Sequence, residues 1–128
     1  MEYGHEMFRL SVPILKTQDS RRAEEFYCHQ LGFEAVNIYR PDPEKSDPCY
    51  LTLKQGEANL HVSSFPIGGA FGSLVYFYVE DVDALHEKLT AKEVPIKMPP
   101  TDQTWGVREI HVVDPDGNGL TFGQPLED

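Results

Sequence analysis

The amino-acid sequence predicts an α+β fold in which one strand-helix-strand-strand-strand unit is used twice. Three observations carry this. Asp19 and Asp81 each follow an apolar strand-like run and precede a run with helical apolar spacing. Each helical run returns to strand character and closes with a hairpin whose turn holds a glycine, Gly56 or Gly117. The aspartates and the turn glycines recur at nearly the same interval, and such internal periodicity outweighs any single local assignment.

In the first unit, residues 8–15 are the opening strand. Ala23, Phe26, Tyr27 and Leu31 mark the buried face of the helix, and Gly32 ends it. Residues 33–40 resume a strand, and the stretch PDPEKSDP (residues 41–48) is a loop. Residues 50–54 and 58–63 form a hairpin around Gln55-Gly56-Glu57. Residues 64–72 form a second loop, whose Gly68-Gly69 suits a linker. In the second unit, residues 73–79 are a strand, Val82, Leu85 and Leu89 mark the helix face, and residues 94–97 resume a strand. The unit ends in WGVREIHVVDPDGNGLTFG, residues 105–123. There Val107, Glu109, His111 and Val113 alternate with Arg108, Ile110 and Val112, so one face carries charge and imidazole. Asp114-Pro115-Asp116-Gly117-Asn118 is turn chemistry, after which Leu120 and Phe122 resume the apolar face with Thr121 opposite. The expected organisation is one domain over residues 1–128, with modules over 6–64 and 73–124.

A chain of 128 residues can bury a real core, and 40% hydrophobic with 25% charged residues is ordinary for a soluble globule. The net charge of −10 argues against nucleic acid, whose phosphates would repel the chain. It keeps the chain soluble and favours a cationic ligand. The opening MEYGHEMFRL lacks a basic region followed by an apolar run, so no signal peptide is expected. No apolar run suits a membrane span. Cys28 and Cys49 form no CxxC pair and read as packing residues of a reduced, cytoplasmic chain. The chain has no GxSxG elbow, no GxxxxGK[ST] loop and no GxGxxG turn, which argues against those forms of nucleophilic catalysis and phosphate binding.

Several pieces together point to a family. They are Pro13-Ile14-Leu15 before the Asp19 cap, FYCHQLGF at residues 26–33, Leu60-His61-Val62, and WGVREI followed by DPDGN. With these, the chain resembles the vicinal oxygen chelate superfamily, which contains glyoxalase I and extradiol dioxygenases. Its WGVREI stretch is most similar to the bleomycin-resistance proteins. The resemblance implies two mixed four-stranded sheets, curved around a concave cleft, with helices on the convex side. It also implies a homodimer in which each cleft is lined by both chains.

Enzymes of this superfamily hold a divalent metal at four positions, one on the first and last strand of each module. Carried onto this sequence, those positions fall on Val12, His61, Leu74 and Thr121. Valine and leucine have no lone pair to offer, and threonine is a weak neutral donor. No metal and no cofactor are therefore expected.

Alternation gives the residues that should line the cleft instead. They are Asn59, His61 and Ser63, then Leu74, Tyr76 and Tyr78, with Tyr50, Thr52, Glu109 and His111, and Trp105 at the rim. Such a surface suits stacking a flat heteroaromatic and holding a cationic group against rings. Each residue also has a plainer role open to it. Trp105 could pack a loop, His61 and His111 could be structural, Tyr76 and Tyr78 could pack a dimer, and Arg108 with Glu109 could be an ion pair. His5, in a terminus expected to be loose, and His29 and His86, on expected helices, have little claim on a site.

The expected function is non-enzymatic binding and sequestration of a cationic aromatic small molecule of antibiotic type. Its binding residues would be Trp105, His61, Tyr76, Tyr78, Tyr50, Glu109, His111 and Thr121, with no catalytic residue. Two alternatives stay open. One is a glyoxalase- or dioxygenase-type metalloenzyme using His61 and a borrowed carboxylate such as Glu109. The other is a metal-free lyase or isomerase with His61 or His111 as general base.

Overall fold

A computed structural model describes residues 7–66 and 69–127. His5 and Gly68 lie outside the described residues. The two modules appear as two four-stranded sheets. In the first, β1 (Ile14–Lys16) pairs parallel with β4 (Ala58–Ser63), which pairs antiparallel with β3 (Tyr50–Gln55) and through it with β2 (Glu34–Tyr39). In the second, β5 (Leu74–Tyr78), β8 (Gly119–Pro125), β7 (Val107–Val113) and β6 (Ile96–Asp102) repeat that order. The parallel pairs β1–β4 and β5–β8 make both sheets mixed.

Each helix begins where an aspartate accepts a backbone N–H. Asp19 receives Arg22 N at the start of α1 (Ser20–Glu24), and Asp81 receives Ala84 N at the start of α2 (Val82–Ala91). α1 continues as a wider π-helical turn, Glu25–Gln30, in which Leu31 N donates to Phe26 O at 2.9 Å. Gly32 then leaves the helix at φ 87°, a left-handed conformation that glycine adopts without a Cβ penalty.

One face of each sheet is covered. α1 lies on β3 and β4, and α2 lies on β6, β7 and β8. Leu15, Leu51, Leu53, Leu60 and Val62 are buried on the first sheet, and Phe77, Ile110, Val112, Leu120 and Phe122 on the second. Burying one such side chain contributes roughly 1.5–3 kcal/mol, so the alternation decides which face turns inward. The opposite face of each sheet is open.

Two elements depart from the sequence-based expectation. Strand structure was expected over residues 8–15, but it begins only at Ile14. Phe8 is 91% exposed, and the chain ahead of Pro13 pairs with no strand among the described residues. An apolar run without a partner ladder does not make a strand. β6, by contrast, runs on past Lys97 through Pro99 and Pro100 to Asp102. It is an edge strand, where a missing N–H is tolerated.

The modules are joined by rings and by one turn. Phe33 meets Phe77 edge to face at 5.9 Å. The Asp114-to-Asn118 turn docks on the first module. Tyr27 Oη donates to Asp114 Oδ2 at 2.6 Å, Thr17 Oγ1 to Asp116 Oδ2 at 2.6 Å, and Asn118 Nδ2 to the Lys16 carbonyl at 3.0 Å. Burial and the Asp114 carboxylate together drive the Tyr27 phenol far above its usual range, so it stays a donor.

Candidate functional site

On the open face of the second sheet, Glu109 is only 3% exposed. β7 places it opposite the core residue Ile110, and the side chains around it then cover it. Tyr76 Oη donates to Glu109 Oε2 at 2.9 Å, and Trp105 Nε1 reaches the same oxygen at 3.4 Å. His111 Nε2 lies 3.1 Å from Oε1. Burial pushes the Glu109 carboxyl up, but hydrogen bonds from His111, Tyr76 and Trp105, with the His111 charge, outweigh it and hold it below its ordinary range. Desolvation, and then the bond to this carboxylate, push the Tyr76 phenol up to about 12.

The rings around Glu109 face outward. Tyr78 is 75% exposed, Trp105 67% and Tyr76 41%. Tyr76 and Tyr78 tilt at 54° with centroids 5.0 Å apart. Thr121 lies between Tyr76 and His111 in the ladder. The result is an aromatic platform with a buried, hydrogen-bonded carboxylate beneath it.

His61 and Tyr50 sit apart from this, on the open face of the first sheet. Their rings meet at 5.3 Å and 70°, and Tyr50 Oη shares a 2.9 Å hydrogen bond with His61 Nδ1. Among the described residues no hydrogen bond or ring contact links this pair to the Glu109 cluster. The residues expected to line one cleft therefore fall into two groups within the chain.

The possible Arg108–Glu109 ion pair is not formed. Neighbours on a strand point to opposite faces, and Arg108 instead reaches Asp83 and Asp102, each at 2.9 Å. Burial raises the Cys28 and Cys49 thiols, which disfavours the nucleophilic thiolate. Sequence reasoning missed Tyr39, which stands opposite Tyr50 and stacks on Phe65 at 6.1 Å and 9°. A register shift between Ala35 and Asn37 moves Asn37 and Tyr39 onto the open face, so strict alternation could not find them. The only signal was the placement of an aromatic residue just before a proline-rich loop.

The four superfamily metal positions do not fit an ion. Val12 and Leu74 carry no donor atom, and Leu74 is 83% exposed. Both Glu109 oxygens are already engaged within their own sheet. Among the described residues no three His, Cys, Asp or Glu side chains gather at one point.

A profile of the Glyoxalase/Bleomycin resistance protein/Dioxygenase superfamily matches residues 9–122. The chain belongs to that superfamily. It is 25% identical to a bleomycin resistance protein of Geobacillus stearothermophilus, covering 91% of this chain and 97% of that one. Among solved structures it is similar to TioX from Micromonospora sp. ML1, with a TM-score of 0.76 at 25% identity over 90% of this chain and 97% of the other. TnmS3, an antibiotic binding protein from Streptomyces sp. CB03234, shares the fold with a TM-score of 0.75 at 24% identity, covering 94% and 99%. No helix among the described residues is long and apolar enough to cross a membrane.

Proposed function

We propose that this chain is a non-enzymatic binding protein that sequesters a cationic, partly aromatic small molecule of antibiotic type. One observation carries the reading: the outward-facing rings of Tyr76 and Trp105 both bond one buried carboxylate, and Tyr78 lies against Tyr76. A cation lying on Trp105 or Tyr76 meets the negative ring face of a side chain bonded to the Glu109 carboxylate, an attraction worth roughly 0.5–2 kcal/mol per ring. The net charge of −10 draws cations to the surface. The similarity to bleomycin resistance proteins supports the same ligand class.

Two chains form the working unit in this reading. Leu74, Tyr78, Trp105 and Ile14 leave apolar surface on the open faces, and pairing would cover it. It would also set one chain's Tyr50–His61 pair across from its partner's carboxylate platform, giving each cleft both groups. A cytoplasmic place suits the two free thiols.

Thermal unfolding with metal-free and copper-loaded bleomycin, and separately with nickel, zinc and manganese, tests the reading. A drug-specific rise in Tm is expected, since a ligand of the folded state alone stabilises it. A rise with metal alone and none with drug would overturn it. A second reading, a metal-free lyase or isomerase, is favoured by one feature: the Tyr50 hydroxyl orients His61 as a general base would be oriented.

A further inference from the structure

Gly123 stands on β8 with Tyr78 of β5 on one side and Glu109 of β7 on the other. Its backbone is not left-handed, so conformation does not require glycine there. Space does. A Cβ at this position would lie 2.6 Å from Tyr76 Cζ and 2.9 Å from Tyr76 Cε1, closer than real Cβ atoms approach. The ladder partner of Tyr76 is Thr121, so its ring runs diagonally over Gly123 before the hydroxyl meets Glu109 Oε2 at 2.9 Å.

We infer that Gly123 is a positioning residue: its bare backbone is the floor on which the Tyr76 ring lies to deliver its hydroxyl to the Glu109 carboxylate. The first module shows the contrast. Ladder pairing puts Ser63 where the second module has Gly123, Tyr50 where it has Glu109, and Ile14 where it has Tyr76. No aromatic ring crosses β4 there among the described residues, and Tyr50 turns to His61 instead. Gly119, two positions before Thr121, supplies a control. A Cβ there would lie 2.5 Å from Leu74 Cδ2, the tip of a flexible and mostly exposed side chain that can swing aside.

The consequence for ligand binding rests on the function proposed above, whereas the placement of Tyr76 does not. The test follows the Glu109 carboxyl by carbon NMR titration and, in parallel, binding of metal-free bleomycin. Gly123→Ala is expected to raise the Glu109 pKa, as Tyr76→Phe should also do, because one of the bonds holding the charged form is lost. Gly119→Ala is expected to leave that pKa where it is. Bleomycin affinity should fall tenfold or more in Gly123→Ala and should fall no further when Gly123→Ala is added to Tyr76→Ala, where the space is already open. An unchanged Glu109 titration in Gly123→Ala would overturn the assignment. If that variant does not fold, Tyr76→Ala/Gly123→Ala should fold, and its failure would overturn the assignment equally. A parent protein that binds no bleomycin would sink the proposed function while leaving the titration result intact.

Discussion

The two modules share a backbone plan and differ in what they do with their open faces. In both, an aspartate caps a helix, four strands pair in the same order, and alternating aliphatic residues face the helix. The open faces diverge position by position. Where the first module has Ile14, His61 and Thr52 in one row of its ladder, the second has Tyr76, Thr121 and His111. In the next row Lys16, Ser63 and Tyr50 stand against Tyr78, Gly123 and Glu109. The covered face constrains both copies alike because apolar packing tolerates little change. The open face carries no such constraint, so one duplicated frame holds an imidazole in one half and a shielded carboxylate in the other.

The comparison is broken most severely by separating the modules. Asp114→Ala should cost about 3 kcal/mol or more in urea unfolding, because it strips Tyr27 Oη and the Asp116 and Asn118 N–H groups of their acceptor and takes one of two acceptors from Asn118 Nδ2. A loss under about 1 kcal/mol would mean that the turn does not hold the halves together.

Next in size is the platform. Trp105→Ala should weaken bleomycin binding by about ten- to a hundredfold, measured by calorimetry, with unfolding little changed because the ring is exposed. Unchanged affinity would remove Trp105 from the site.

Acid sharpens the contrast further. The folded Glu109 carboxyl lies below its unfolded value, so its contribution to stability is complete above the ordinary carboxylate range and is lost as pH falls through the folded pKa. Glu109→Gln should therefore flatten the acid limb of stability against pH. An equally steep limb in the variant would show that the carboxylate is not held in its charged form.

The smallest effect belongs to the first module. Tyr50→Phe removes the hydroxyl from His61 and should cost about 1 kcal/mol, with a smaller loss of drug affinity than Trp105→Ala. If the two variants lost equal affinity, the binding site would draw on both modules alike.

Much of the fold was legible in the residues. Asp19 and Asp81, the hairpin turns and the period-two patterns of β4, β5 and β7 are local signals, and local physics produces them. The candidate site was legible only as a list. Alternation put Glu109, His111, Tyr76 and Tyr78 on open faces, but it did not say that Glu109 would be buried, because the covering groups come from β5 and from the segment ahead of β7. Tyr39 was hidden by the bulge in β2. The DPDGN turn read as a turn and no more, although its side chains are the clasp onto the first module.

From the sequence alone came the doubled unit, the inward faces and the lack of donor atoms at Val12 and Leu74, since capping, periodicity and side-chain chemistry belong to single residues and near neighbours. Only the tertiary structure decided that His61 and Glu109 stand apart within one chain, that the second sheet gathers its rings over a carboxylate, and that Gly123 leaves room for this. Those outcomes depend on which strands lie side by side and how far a side chain reaches across them, and spacing along the chain does not contain that distance.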